Sequence, residues 1–136
     1  MLLLDSHTFP LSGQQLIEAS AGTGKTYTIS SLYLRLLLGR DSSLTRPLLP
    51  SEILVLTFTI AATDELRERI RNRVSLARAM FAGDVSNTED EFIARLISES
   101  QDIIADRRLL TASLQTMDEA AIFTIHGFCA RVLGEQ

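Results

Sequence analysis

Cysteine, histidine and lysine are all scarce in this chain. Across 136 residues there is one cysteine, Cys129, and there are two histidines. A single cysteine cannot close an internal disulfide, which points to a reducing, cytoplasmic setting. The same three residues are too few for a zinc cluster. No apolar run approaches the ~18 residues of a membrane span, so no membrane association is expected. Leu2, Leu3 and Leu4 run at once into Asp5 without the basic flank that a secretory signal carries. Lysine is rarest relative to its partner: Lys25 stands alone beside twelve arginines.

What is present fits one globular domain, with 46% hydrophobic and 22% charged residues. The net charge of −4 does not suggest a nucleic-acid binder, but its distribution is uneven. Residues 61–80 hold five arginines (Arg67, Arg69, Arg71, Arg73, Arg78) against three acids, whereas residues 84–106 hold seven acids against Arg95. The basic stretch reads either as a phosphate-facing helix or as a solvated face with internal ion pairs.

Periodicity orders the elements. Leu16 and Ile17 suggest a short strand, and residues 25–38 a helix with Ile29, Leu32, Tyr33, Leu36 and Leu37 apolar and Gly39 as its stop. Pro47 and Pro50 break the next segment. Ile53 to Phe58 is a continuous apolar run, as in a buried parallel strand. Leu66, Ile70, Val74, Ala77 and Phe81 mark a long amphipathic helix ended near Gly83. Ser86 with Glu89 offers a capping box for a helix carrying Phe92, Ile93, Leu96 and Ile97. A further helix is expected over 101–116, with Ile103, Leu110 and Leu114 on one side. A third strand follows over 120–125, and a last helix from Gly127. Strands alternating with helices imply an α/β fold with a parallel sheet, the helical pair at 84–117 being inserted before the third strand. Three strands are a meagre core, which suggests the front part of a longer protein.

The run EASAGTGKT at 18–26 carries the chemistry. Between a strand and a helix the backbone must curl so that successive N–H groups face an anion. Gly22 and Gly24 permit that curl, and the helix N-terminus adds partial positive charge. Ala19, Ser20, Ala21, Gly22, Thr23, Gly24, Lys25 and Thr26 would together cradle nucleotide phosphates. Lys25 reaches the β- and γ-phosphates, and the Thr26 hydroxyl faces Mg²⁺. Ala19 occupies the first glycine of the general phosphate-loop pattern. A compact ammonium suits so tight a nest better than a wide guanidinium.

Three stretches together resemble the superfamily-one DNA helicases of the UvrD type, and within them the branch that carries exonuclease subunits. EASAGTGKT resembles their phosphate loop, in which alanine at the position of Ala19 is common. LVLTFTIAATDELRERI (54–70) resembles motif Ia, and FTIHGFCARVL (123–133) resembles motif Ib. The resemblance runs from about Phe9 to Leu133 and implies a partial RecA-like phosphate-loop NTPase domain with ATP and Mg²⁺ as cofactors. It further implies single-stranded or duplex-end DNA as a partner, together with companion subunits. Thr57, Phe58, Thr59, Thr124 and His126 would meet DNA, by stacking for Phe58 and by hydrogen bonds for the others. Ile60 departs from the usual glutamate of motif Ia, and neither Gln14 nor Gln15 has the spacing of an adenine-reading glutamine.

Some residues have plainer readings. Phe123 and Phe128 fit an apolar core, His126 can cap a helix, and Cys129 fits a buried small hydrophobe. Hydrolysis also needs acids at the C-terminal end of a strand, whereas Asp118 and Glu119 precede one. The isolated chain is therefore expected to be inactive. A small nucleotide or metabolite kinase and a non-catalytic nucleotide-binding module remain open alternatives.

Overall fold

The computed structural model describes residues 23–40 and 46–134. Helix α1 spans Thr23–Leu38 and ends as its sequence demands. Gly39 takes φ +66°, a left-handed turn that favours glycine. That turn lets the Arg40 N–H donate to the Arg35 carbonyl at 2.9 Å and the Gly39 N–H to that of Leu36 at 3.3 Å. Both bonds satisfy carbonyls that the helix end would otherwise leave bare.

Strand β1 (Leu54–Thr57) feeds helix α2 (Ile60–Ala82) through Thr59, whose hydroxyl accepts from the Ala62 N–H. Helix α2 buries Leu66, Ile70, Val74, Ala77 and Phe81, the stripe that the periodicity marks. Gly83, at φ 80°, stops it. Two shorter helices follow, α3 (Glu91–Ser98) and α4 (Ile103–Gln115). Strand β2 (Ala121–Thr124) then pairs parallel with β1, in the register Leu54 to Ala121 through Thr57 to Thr124. Helix α5 (Ile125–Gly134) completes the described residues. A parallel pair needs a crossover; here α2, α3 and α4 supply it. The chain is thus α/β with a parallel sheet. The strand expected at Leu16 and Ile17 lies outside the described residues.

One core joins all three layers of the crossover to the sheet. Tyr33, Leu34 and Leu37 enter it from α1, Ile93 and Leu96 from α3, Leu110 from α4 and Ile122 from β2. The helices between α2 and β2 are therefore packed parts of the body.

Four local expectations need correction. Ser86 caps only the 3₁₀ turn Asn87–Glu89, and α3 is capped instead by Asp90, whose carboxylate accepts from the Ile93 N–H at 3.1 Å. Asp90 has the extended backbone an N-cap needs, one residue before the helix. Ile125 belongs to α5 and not to the strand. Ile103 opens α4 exposed, because its turn lies beyond the core. Cys129 is exposed as well, since α5 buries no residue. Phe123 and Phe128 are half-buried, their rings stacked with centroids 6.3 Å apart.

Candidate nucleotide and nucleic-acid interface

Thr23, Gly24, Lys25 and Thr26 form the first turn of α1, so the G-K-T end of the small-residue run opens a sixteen-residue helix. Ala19 to Gly22 lie outside the described residues. The first turn carries no acid, so no carboxylate within that turn opposes the partial positive charge of a helix N-terminus. Thr26 is half-buried and lines a cleft of about 820 Å³ between α1 and α2, with Tyr27, Ser30, Glu68, Asn72 and Arg73. The backbone end of α1 suits an anion. Among the described residues no cluster of histidine, cysteine and acidic side chains could hold a metal by itself.

Arg73 is the least expected member of this region. Its side chain is buried and pairs with Asp90 through Nε at 3.1 Å and Nη2 at 3.3 Å. Nη1 donates to the Tyr27 carbonyl at 3.0 Å, to Ser30 Oγ at 2.8 Å and to Ser31 Oγ. The guanidinium also lies 3.9 Å from the centre of the Tyr27 ring. Burial, as the leading cause, raises the pKa of the Tyr27 phenol, with Arg73 pulling the other way. Periodicity held a signal for this residue. Position 73 falls inside the buried stripe of α2, where a charge needs a partner.

The remaining arginines of α2 are mostly structural too. Arg67 donates to the Ile122 carbonyl at 2.8 Å, bracing β2. Arg69 faces Glu65 at 3.9 Å, and Arg78 donates to Thr111 at 3.0 Å. Internal pairing accounts for the basic run better than a phosphate-facing helix does.

The second half of the candidate site is the edge where both strands end. Parallel register sets Thr57 beside Thr124, so the segments after them leave on the same side. Phe58 is 58% exposed and Ile60 74%, and His126 is exposed on the first turn of α5. The Thr59 side chain is exposed while it caps α2. Thr124 is half-buried and accepts from the Gly127 N–H at 3.0 Å, capping α5. A Cβ at Gly127 would sit 2.8 Å from that hydroxyl, so a larger residue there would make the Thr124 side chain shift.

Thr57 is the exception among the residues expected to face DNA. It is fully buried, and its hydroxyl meets Thr63 Oγ1 and the Thr59 carbonyl. A side chain so enclosed cannot reach a phosphate; it holds the loop that presents Phe58. Asp118 and Glu119 sit in a 3₁₀ turn before β2, at the opposite end of that strand.

Residues 5–136 match the UvrD/REP helicase N-terminal domain. The chain is 50% identical over 132 residues to the RecBCD enzyme subunit RecB of Escherichia coli (strain K12), covering 96% of this chain and 11% of the relative. It is 49% identical over 137 residues to the same-named subunit of Haemophilus influenzae, with coverage again 96% and 11%. That of Chlamydia muridarum is 40% identical over 124 residues, covering 91% of this chain and 12% of the relative. The chain thus spans about a ninth of the length of these relatives. With nearly every residue matched by the family model, the chain belongs to the UvrD/REP helicase N-terminal domain family.

Proposed function

We propose that this chain is the N-terminal, ATP-binding part of the first RecA-like motor domain of a RecB-like ATP-dependent DNA helicase and exonuclease. Residues 84–117 form its helical insertion. Such an enzyme acts in double-strand-break repair and recombination, in the cytoplasm, with RecC-like and RecD-like subunits. The observation that carries this reading is G-T-G-K-T leading into α1, whose first turn holds no acid to repel phosphate. Residues 19–24 supply backbone donors, the Lys25 ammonium neutralises phosphate charge, and the Thr26 hydroxyl is a ligand for Mg²⁺. When bound, ATP supplies the phosphoryl group whose transfer to water drives motion.

Phe58 then stacks on a base of single-stranded DNA, with Thr59, Thr124 and His126 near its phosphates. Thr57 acts from within, by fixing the loop. Hydrolysis also needs a carboxylate for the metal and an arginine for the developing charge, and each absence costs several kcal/mol. The chain alone is therefore expected to show no DNA-stimulated ATPase above a Lys25→Ala control. The direct test is titration with a fluorescent ATP analogue: Lys25→Ala should abolish binding. Equal affinity in the two proteins would sink the phosphate-loop assignment.

A further inference from the structure

Helix α1 is held at both ends by arginines that reach the helices following α2. At its C-terminal side, Arg40 Nη2 donates to the Leu96 carbonyl at 3.0 Å and to Asp106 at 2.7 Å. Ser100 donates to the same carboxylate at 2.6 Å. At its N-terminal side stands Arg73, which joins three helices at one point. The guanidinium is rooted on α2, grips Asp90 at the start of α3, and meets the Tyr27 carbonyl, Ser30 and Ser31 on α1.

These two attachments differ in what they touch. Arg40 lies beyond the last turn of α1, whose axis runs about 18 Å from Thr26 to Leu38 at about 1.5 Å per residue. Arg73 holds the residue next to Thr26. Its three contacts on α1 fall within residues 27–31, the turns that directly continue the phosphate loop. Ser30 and Ser31 each also donate to the Tyr27 carbonyl at 2.9 Å. That carbonyl therefore accepts from Arg73, Ser30 and Ser31 together, which ties the start of α1 to α2. A lysine could keep the charge toward Asp90 but not the fork that serves five acceptors together.

We infer that Arg73 is a positioning residue for the nucleotide site: it sets the start of α1, and hence Lys25 and Thr26, against α2 and α3. The inference rests on the phosphate-loop reading given above. It assigns to Arg73 a role exerted through its hydrogen bonds to α1. Groups aligned for phosphate lose affinity when their support loosens, and coupling of this kind is typically worth about fivefold or more.

The experiment compares Arg73→Lys with Arg40→Gln, which loosens the distant attachment of the same helix. Three quantities are read in each protein: melting temperature, affinity for a fluorescent ATP analogue, and amide hydrogen exchange over residues 26–31. Arg73→Lys should weaken the analogue about fivefold or more and speed exchange at 26–31. Arg40→Gln should lower the melting temperature while changing affinity less than about twofold. Affinity losses that track melting temperature alike in both variants would overturn the inference, as would an unchanged affinity in Arg73→Lys. Should the parent fail to bind the analogue while Arg73→Lys still speeds exchange at 26–31, the nucleotide reading fails. Arg73 is then a structural clamp only.

Discussion

The two ends of the molecule handle apolar residues in opposite ways. Around α1, α2 and α4 the apolar stripe goes inside: Leu34, Leu37, Ile70, Val74 and Leu110 are all fully buried. Where the strands end, the same kinds of residue face outward. Phe58, Ile60, Val132 and Leu133 are exposed, and α5 buries nothing. Helix α5 is no less apolar in sequence than the others. The difference lies in what stands opposite: α2 is flanked by α1, α3 and α4, while among the described residues α5 leans chiefly on the short sheet. An apolar face is a demand for a neighbour, and among the described residues only one end meets it.

That contrast can be broken most directly by equal truncations at the two ends. Ile70→Ala should cost about 2–5 kcal/mol, because it opens a cavity in a packed site. Leu133→Ala should change stability by less than about 0.5 kcal/mol. Urea midpoints measure both, and a large loss at Leu133 would mean that α5 is packed after all. A sharper probe lies on the border between the two regions. Thr57→Val removes the hydroxyl that ties Thr63 and the Thr59 carbonyl together. It should cost about 1–3 kcal/mol, since buried polar partners lose their bond. It should also weaken single-stranded DNA binding although Thr57 itself is enclosed; unchanged DNA affinity would remove its role in fixing the Phe58 loop.

A smaller effect than that of Ile70 is expected elsewhere in the packed region. The Tyr33 hydroxyl is buried without a hydrogen-bond partner among the described residues. Its burial pushes the phenol up from 10.0 to about 12, against the opposing pull of Arg67. The folded value exceeds the unfolded one, so ionisation of this phenol leaves stability unchanged below pH 10 and lowers it as pH rises from there through about 12. Tyr33→Phe should raise stability by about 1 kcal/mol at neutral pH and flatten that alkaline decline. A loss of stability at neutral pH would show that the hydroxyl has a partner.

Local signals were legible wherever neighbours in sequence decide the outcome. The stripe from Leu66 to Phe81, the stops at Gly39 and Gly83, and both described strands follow from spacing and turn chemistry. Asp90 was harder to read because Ser86 offered a competing cap, and a 3₁₀ turn separates the two. The enclosure of Arg73 and of Thr57 was not legible, for a shared reason. A polar residue's burial depends on partners far along the chain, here Tyr27 at 46 residues' distance and Phe123 at 66.

The sequence alone therefore determined the α/β alternation, the glycine stops of α1 and α2 and the G-K-T entry into α1, since these depend on contacts within a few residues. Only the tertiary structure decided which polar groups are enclosed and which apolar ones are left bare. Those outcomes follow from the parallel register and from helices converging on α1. They set the Arg73 cluster inside the protein and Phe58, Ile60 and His126 on its surface.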